Sequence, residues 1–162
     1  DVYKRQVVDG AWKVFDVIAA DKRTDVNAEN PAGETPLMYL AIAGQTERAK
    51  TLIARGAQVN RLGWTPLHYA ASKGQMQMAR LLLSKKAIVN APAPGGETPL
   101  MMAAHYGSTE AVQLLLDEGA DPTLKNQLGL TAADFALRVS RTESAERIAA
   151  AIRKRQPNRG KW

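Results

Sequence analysis

Apolar positions along the chain come in pairs of short runs with helical spacing. In the clearest pair, Leu67, Ala70 and Ala71 share one face of a first helix, and a second apolar run follows over residues 76–84. Alanines on such a face allow a short helix to approach its neighbours closely. We predict that the second run is a helix over Met76–Ser84, and it has too many apolar positions for a helix with one buried face. This pattern predicts paired helices, the second of which is packed between neighbours.

The pair recurs at a regular interval. Four segments align around a threonine, and these threonines are separated by 30, 33 and 33 residues: Thr35, Thr65, Thr98 and Thr131. The aligned segments read GETPLMYLAIAGQ, GWTPLHYAASKGQ, GETPLMMAAHYGS and GLTAADFALRVSR. Upstream of them, residues 12–27 have the pattern of the back half of another unit. Self-similarity at such a period indicates a repeat protein, here with four units and a fragment.

Local signals mark where each helix begins and ends. A threonine hydroxyl accepts a hydrogen bond from the free backbone amides of a first helical turn. The proline that follows has no backbone N–H, but an N–H at the first helical position would have no partner within the helix. Glycine ends a helix by adopting the left-handed conformation, and we expect this of three residues: Gly44, Gly74 and Gly107. After the second helices Gly56 and Gly119 take this place, but the third unit has Lys86 there. We therefore expect backbone strain at Lys86 unless the turn there has a different geometry.

These segments resemble the ankyrin repeat. Residues 65–70 read T-P-L-H-Y-A and match the T-P-L-H-x-A signature of that family completely, while residues 35–37 and 98–100 match its first three positions. The resemblance covers roughly residues 7–155, and the overall pattern is similar to that of bacterial ankyrin proteins. It implies an all-α solenoid of stacked helix-turn-helix units, with β-hairpin-like finger loops between them.

The repeats also divide the chain. We predict an ankyrin repeat domain over residues 1–155, with a partial unit at 1–29 and units at 30–62, 63–94, 95–127 and 128–155, followed by a basic tail at 156–162. The connection from Asn60 to Gly63 is three residues shorter than its counterparts, so we expect a short finger there. The chain starts at Asp1 rather than Met, and four apolar residues have no preceding helix to cover them: Val14, Phe15, Val17 and Ile18. We therefore expect a truncated first unit. The sequence leaves open whether an export signal precedes this unit. It also leaves open whether the protein resides in the bacterial periplasm or the cytoplasm.

The net charge of +6 first suggests an anionic partner such as nucleic acid. However, five of the basic residues lie in the last ten positions, and the other 152 residues carry 17 basic and 16 acidic side chains. We therefore do not expect the repeats to bind nucleic acid. The basic tail indicates a solvated chain end, with binding to phosphate or an anionic surface as the alternative. Apolar runs of a few residues are far shorter than the roughly 18 to 20 that a membrane span needs.

Few side chains suited to catalysis are present. The sequence has no cysteine and only two histidines, which excludes thiolate metal sites and leaves few candidates for a general base. His68 occupies the signature position, where the resemblance implies a hydrogen-bonded structural histidine. His105 is expected on the open side of its helix, and without a second ligand nearby it does not indicate a metal site. We predict no catalytic residue, no metal and no cofactor, and so a protein that is not an enzyme.

The resemblance implies recognition on the concave face, which finger tips and the exposed positions of each first helix form. The candidate partner-binding residues are Glu34, Leu62, Trp64, Ser72, Lys73, Glu97, His105 and Tyr106. Trp64 combines apolar area with a hydrogen-bond donor, as binding hot spots do. The alternative is that Trp64 folds over the shortened finger. We predict a monomeric scaffold that binds an unidentified protein partner.

Overall fold

The structure is a computed structural model that describes residues 2–156. Within this range the chain is helical and contains no strand. The helices are α1 (Val2–Ala20), α2 (Pro36–Ala43), α3 (Thr46–Ala54), α4 (Pro66–Ser72), α5 (Met76–Ser84), α6 (Pro99–Tyr106), α7 (Thr109–Asp117), α8 (Ala132–Arg138) and α9 (Thr142–Arg155). The predicted all-α repeat architecture is confirmed.

The first helix of each of the four pairs begins directly after its threonine. In α4 the amide of His68 donates a hydrogen bond to the hydroxyl of Thr65 over 3.4 Å. Thr98 and Thr131 cap α6 and α8 through the same contact. Proline is the first helical residue of α2, α4 and α6, where its missing amide costs no helical hydrogen bond. The predicted helix starts are therefore confirmed. The threonine cap is present at three of them, and the buried hydroxyl of Thr35 makes no such bond ahead of α2.

Two of the three predicted glycine caps are confirmed, and the third is wrong. Gly44 and Gly74 have φ angles of 68° and 63°, in the left-handed region. Gly107 instead has a φ of −86°, which any residue can adopt. A Cβ atom at Gly107 would lie 2.3 Å from the carbonyl oxygen of Ala71. Glycine is needed at position 107 because the end of α6 lies against the end of α4.

Two other residues adopt the left-handed conformation without being glycine. Lys86 after α5 has a φ of 69°, and Ser140 after α8 has a φ of 58°. The strain predicted at Lys86 is confirmed, because a side chain in this region costs about 1 kcal/mol relative to glycine.

α1 is longer than the repeat pattern predicts. The back half of a unit predicted at residues 12–27 begins at residue 12, but α1 continues back to Val2 and has 19 residues. A single glycine such as Gly10 does not by itself end a helix, since it costs only about 1 kcal/mol relative to alanine. The last half of α1 packs beside α3, where Arg48 forms an ion pair of 2.8 Å with Asp16 and lies over the ring of Trp12.

The helices form two rows around one core. The inner row consists of α2, α4, α6 and α8, which contact each other in that order, and the outer row consists of α3, α5, α7 and α9. Each inner helix also contacts the outer helix that follows it. Each unit therefore covers the apolar face of the next, as in other stacked repeats. The largest fully buried apolar side chains are Leu37, Met38, Leu40, Leu52, Leu67, Met78, Leu82, Leu100, Met101, Leu115 and Ile148.

A series of asparagines connects successive units. The Oδ1 of Asn27 accepts a hydrogen bond of 2.7 Å from the amide of Gln58 in the next unit. Asn60 and Asn90 make the same contact with the unit that follows each of them, at 2.8 and 2.9 Å. These bonds satisfy backbone amides that the turns leave free, and so they fix the spacing between units.

The loops ahead of the inner helices, here called fingers, differ in one place. In the first finger the amide of Asn30 donates to the carbonyl oxygen of Glu34 over 3.0 Å, and the amide of Gly33 donates to that of Asn30 over 2.8 Å. The fingers at residues 93–97 and 126–130 have the same two bonds. The connection ahead of α4 shows neither bond within the described residues, and its Leu62 is 96% exposed. The predicted short finger is present.

Candidate functional site

An open groove of about 620 Å³ crosses the inner row where its helices end. We call it the inner groove. The residues that line it come from three successive units: Ile42, Tyr69, Ser72, Lys73, Gly74, Met102, Tyr106, Gly107 and Ser108.

The packing of the helix ends gives the inner groove its shape. Gly107 brings the end of α6 against the backbone of Ala71 in α4, so that no side chain fills the space between them. A Cβ atom at Gly74 would be in ordinary contact with the side chain of Ser108, 3.4 Å from its hydroxyl oxygen. The hydroxyl of Ser72 donates to the carbonyl oxygen of Tyr69 over 3.0 Å and stays within its own helix. Backbone and small residues therefore form the floor, and larger side chains form the walls.

The walls are aromatic and apolar with one positive charge. Tyr106 is 59% exposed, and Tyr69 and Met102 are half-buried. Burial raises the pKa of the Tyr69 hydroxyl, which keeps it protonated as a hydrogen-bond donor at neutral pH. Lys73 is exposed and is the one ionisable cation among the lining residues, which include no carboxylate. This combination suits a partner surface that offers apolar groups together with an acceptor or an acid.

Tyr69 and Met102 were not among the residues predicted for binding. Both stand four positions after the threonine of their unit, and this position holds a large side chain in every unit: Tyr39, Tyr69, Met102 and Phe135. All four are partly or largely exposed although they lie on the inner row. The alignment of the four segments contains this signal, because a large side chain recurs at the same position in every unit.

Glu34 and Tyr39 form a polar cluster at the start of the inner row. The side-chain Nδ2 of Asn30 donates to the Glu34 carboxylate over 3.1 Å and to the Tyr39 hydroxyl over 2.9 Å. Glu34 accepts hydrogen bonds from Tyr39 and from Asn30, and both bonds lower the pKa of its carboxyl group. The hydrogen bond to Glu34 raises the pKa of the Tyr39 hydroxyl. The carboxylate is therefore held in place and ionised near neutral pH.

Trp64 packs on its own unit. Its ring meets the ring of His68 edge-on with centroids 5.3 Å apart, and it lies 6.4 Å from the ring of Tyr69. The side chain is half-buried. Trp64 thus lies beside the start of α4, where it supports one wall of the inner groove through Tyr69.

His68 is a structural residue, as the resemblance implied. The amide of Thr65 donates to its Nδ1 over 3.1 Å, and its Nε2 lies 2.8 Å from the carbonyl oxygen of Glu97 in the next finger. Because Nδ1 faces an amide donor, Nδ1 accepts and Nε2 carries the hydrogen that Glu97 accepts. Burial lowers the pKa of His68, so the ring is neutral at physiological pH.

His105 is less open than predicted. Its ring centroid lies 4.0 Å from that of Tyr106 and 5.7 Å from that of Phe135 in the next unit. The half-buried ring therefore holds Tyr106 at the edge of the inner groove and connects it to α8.

The structure thus brings three of the eight predicted residues into one groove, and they are Ser72, Lys73 and Tyr106. Trp64 and His105 each pack against an aromatic residue that lines this groove. Glu34 and Glu97 are half-buried finger residues, and the Glu97 carboxylate lies close over Gly95. Leu62 projects into solvent from the short finger. These five lie outside the lining of the groove.

Three features of the described residues bear on other functions. This part of the chain has no cluster of three or more histidine and carboxylate side chains placed to hold a metal ion. None of its helices has both the length and the apolar content needed to cross a membrane. Of the basic residues at the end of α9, Arg155 is ion-paired with Asp121 at 2.6 Å. Apart from Gln156, the tail predicted at residues 156–162 lies outside the described residues.

Comparisons with known proteins agree with the repeat architecture. A family model described as ankyrin repeats (3 copies) matches residues 10–93, and a second, described as ankyrin repeats (many copies), matches residues 84–136.

Three relatives share this region. The chain is 37% identical over 128 residues to rat ankyrin repeat and SAM domain-containing protein 6. These residues cover 79% of this chain and 11% of the rat protein. The mouse protein of the same name is 36% identical over the same length. An ankyrin repeat-containing protein of Treponema pallidum (strain Nichols) is 40% identical over 107 residues, which cover 63% of this chain and 36% of that protein. The chain thus spans a small part of the relatives that it matches.

Proposed function

This chain belongs to the ankyrin repeat family, and we propose that it is a non-catalytic module that binds a folded protein partner through the inner groove and the fingers beside it. Ankyrin repeats generally mediate protein–protein interaction and are typically not enzymes. The proposal for this chain goes further, because it names the face and the residues. We propose that the module acts as a monomer.

The composition of the inner groove is the observation that carries the proposal. Tyrosine and other aromatic residues are enriched in the few interface residues that dominate binding energy. Here Tyr69 and Tyr106 lie in one groove with Met102 and Lys73, and Tyr106 and Lys73 are exposed there. An apolar centre with one charge at its edge is the usual anatomy of a protein interface.

The rigidity of the groove supports the same function. Its floor consists of helix ends that contact each other through backbone atoms, so its shape is fixed when the chain folds. A partner then does not have to order the loop or helix ends on binding, and this lowers the entropic cost of association. A surface of modest size can therefore bind with useful affinity.

We propose flanking roles for the five residues outside the groove. Trp64 and His105 position Tyr69 and Tyr106 through ring contacts. Glu34 and Glu97 offer carboxylates beside the apolar centre, and Leu62 offers an apolar contact at the tip of the short finger. A partner that engages the groove and the fingers together contacts both sets.

The test begins with photocrosslinking. The chain has no cysteine, so Ser72→Cys carries a single benzophenone in the groove and keeps both tyrosines, while Lys50→Cys carries one on the exposed side of α3 as the matched control. After incubation with cell lysate, we expect a protein crosslinked to position 72 and not to position 50, and mass spectrometry identifies it.

The affinity of that purified partner is then measured for three variants. We expect Tyr69→Ala and Tyr106→Ala each to weaken binding by about 2 kcal/mol, as hot-spot truncations do. Glu110→Ala on the exposed face of α7 should leave the Kd within about twofold. If only the α7 variant weakens binding, the partner uses another face and the proposal is wrong.

The same titration tests whether the partner binds the basic tail instead of the inner groove. Deletion of residues 156–162 and an increase of salt from about 50 to about 200 mM should change the Kd little if the groove binds the partner. Binding to phosphates through the tail would instead fall by orders of magnitude over this salt range.

A further inference from the structure

The Glu97 carboxylate has no partner within the described residues. Its side chain is half-buried, and its Oε2 atom is buried and accepts no hydrogen bond from any residue in the range 2–156. None of the ion pairs in this range includes it. Both carboxylate oxygens lie over Gly95, where a Cβ atom would be 2.4 Å from Oε1 and 2.7 Å from Oε2. A buried polar atom without a partner costs stability and therefore requires an explanation.

The carboxylate at the same position of an earlier unit is hydrogen-bonded. Glu34 accepts from Asn30 over 3.1 Å and also from the hydroxyl of Tyr39. In the unit of the unpartnered carboxylate, the residues at these two places are Ala93 and Met102. Neither side chain has a donor that a carboxylate can use. The fold therefore keeps an acid at this position in both units but supplies its hydrogen bonds in only one of them.

Trp64 occupies the same position in the unit between them. Its ring meets the ring of His68 with centroids 5.3 Å apart, and the Nε2 atom of His68 lies 2.8 Å from the carbonyl oxygen of Glu97. Burial lowers the pKa of His68, and the charge of the Glu97 carboxylate acts on it in the opposite direction. The indole ring and the carboxylate therefore both adjoin the same histidine.

We propose that Glu97, flanked by Trp64, binds an arginine side chain of the protein partner. The inference rests on the proposed function as a protein-binding module and names one chemical group that the partner carries. Apolar and aromatic surroundings strengthen the attraction of a carboxylate for a cation. Arginine suits them better than lysine, because its guanidinium group is flat, is more weakly hydrated and stacks on aromatic rings.

The free side chain can turn toward an arginine without losing a bond. Because Oε2 accepts no hydrogen bond in the free protein, rotation breaks none, and both oxygens can then accept from one guanidinium group. The finger itself stays in place. The amide of Gln127 donates to the carbonyl oxygen of Gly95 over 2.9 Å, and its Nε2 donates to that of Pro94 over 3.0 Å. Binding therefore requires the movement of one side chain only.

The site adjoins the inner groove. Met102 lies in the first turn of α6, the helix that begins just after Glu97, and it lines the groove. A chain segment that contacts Tyr106 at the end of α6 and passes along this helix brings its next side chains to the finger. The arginine and the group that enters the groove therefore belong to one partner.

The test selects ligands from a library of random peptides displayed on phage. We expect the peptides selected by the parent to share an arginine at one fixed position, and those selected by Glu97→Gln to show no such preference. Glu110→Gln removes the same charge from the exposed face of α7 and is the matched control. It should select the same arginine peptides as the parent.

A selected peptide then serves as the probe in a double-mutant cycle. Its arginine is replaced by citrulline, which has nearly the same shape and no charge. We expect this change to weaken binding to the parent by at least about tenfold, and binding to Glu97→Gln by about twofold or less, because only the parent carries the opposite charge. Isothermal titration calorimetry measures the four Kd values.

Thermal unfolding tests the carboxylate without any partner. Glu97→Met removes the unpartnered oxygen and should raise the Tm by at least about 2 °C. Glu34→Met should lower the Tm, because it removes a carboxylate that accepts two hydrogen bonds. A carboxylate with a structural role at position 97 would give a decrease in both variants.

Several outcomes would overturn the arginine site. They are a selection that yields no peptide, peptides without a preference for arginine or with lysine in its place, an equal cost of citrulline on parent and Glu97→Gln, and a lower Tm for Glu97→Met. Peptides without arginine that bind less well to Tyr106→Ala would refute this site and leave the inner groove as the binding surface. Arginine peptides that depend on Glu97 but not on Tyr106 would support the site and refute the groove.

Discussion

The Nε2 atom of His68 lies 2.8 Å from the carbonyl oxygen of Glu97, 29 residues further along the chain. Through this bond the first turn of α4 is connected to the finger of the next unit. The two neighbouring units place methionine at the same position. The sulfur atoms of Met38 and Met101 accept from the threonine amide of their own unit, at 3.5 and 3.4 Å, and the sulfur of Met38 also lies 4.0 Å from Nη1 of Arg61. Neither methionine contacts the carbonyl oxygen of the next finger as His68 does.

We expect His68→Met to fold and to lose stability. The other units show that methionine fits at this position, but its sulfur has no hydrogen for the Glu97 carbonyl oxygen. The loss should be about 1 kcal/mol, the net contribution of such a bond, measured by urea unfolding at pH 7.5. Stability equal to that of the parent would show that the connection between the units is not made in solution.

The difference in unfolding free energy between the parent and His68→Met should also depend on pH. The pKa of His68 is lowered in the folded state, so the unfolded chain takes up a proton first, at a pKa of about 6.5. The stabilisation is complete above that pH and is lost as pH falls toward the folded pKa. We expect the advantage of the parent over His68→Met to be smaller at pH 5.5 than at pH 7.5. An unchanged or larger advantage at pH 5.5 would contradict a buried neutral ring.

Gly107→Ala should destabilise the stack by overpacking. The new Cβ would lie 2.3 Å from the carbonyl oxygen of Ala71 and 3.0 Å from the backbone of Ala103, so it would collide with backbone atoms of two helices. We expect a loss of about 3 kcal/mol, since backbone atoms cannot move aside as side chains do.

Gly119→Ala is the matched control for Gly107→Ala. Gly119 has a φ of 92°, and a methyl group added there would meet no atom within 4 Å, so only the conformational cost of about 1 kcal/mol applies. A larger loss at Gly119 than at Gly107 would mean that the turns limit stability more than the approach of α6 to α4.

Lys86→Gly should stabilise the protein by about 1 kcal/mol. Lys86 has a φ of 69°, and glycine adopts this conformation without the steric cost of a Cβ. Lys85→Gly is the control, because Lys85 has a φ of −96° and gains nothing from glycine. Both are exposed, and differential scanning calorimetry compares their Tm values. A higher Tm for Lys85→Gly than for Lys86→Gly would refute the assignment of strain.

Trp64→Ala should reduce stability by about 2 kcal/mol. Its half-buried ring contacts the rings of His68 and Tyr69, and both apolar burial and the aromatic pairs contribute. Leu62→Ala, on the same finger and 96% exposed, should stay within about 0.5 kcal/mol. If both variants unfold at the same urea concentration as the parent, Trp64 acts in binding alone.

Much of the local structure could be predicted from single segments. The Thr-Pro helix starts, the strain at Lys86 and the structural role of His68 depend on residues within a few positions, or on a signature that repeats. The error at Gly107 arose because the same residue type serves two purposes. At Gly44 and Gly74 it permits a left-handed turn, whereas at position 107 it permits contact with Ala71, and the sequence is alike in both cases.

The amino-acid sequence alone therefore determined the period, the helix pairs and the all-α class, because short-range propensities and apolar spacing repeat along the chain. Only the tertiary structure decided which exposed residues share a surface. Ser72, Lys73 and Tyr106 were predicted separately, but their union with Tyr69 and Met102 in one groove depends on how closely successive inner helices approach each other. That distance is set by side chains about one repeat apart, whose contacts no single segment contains.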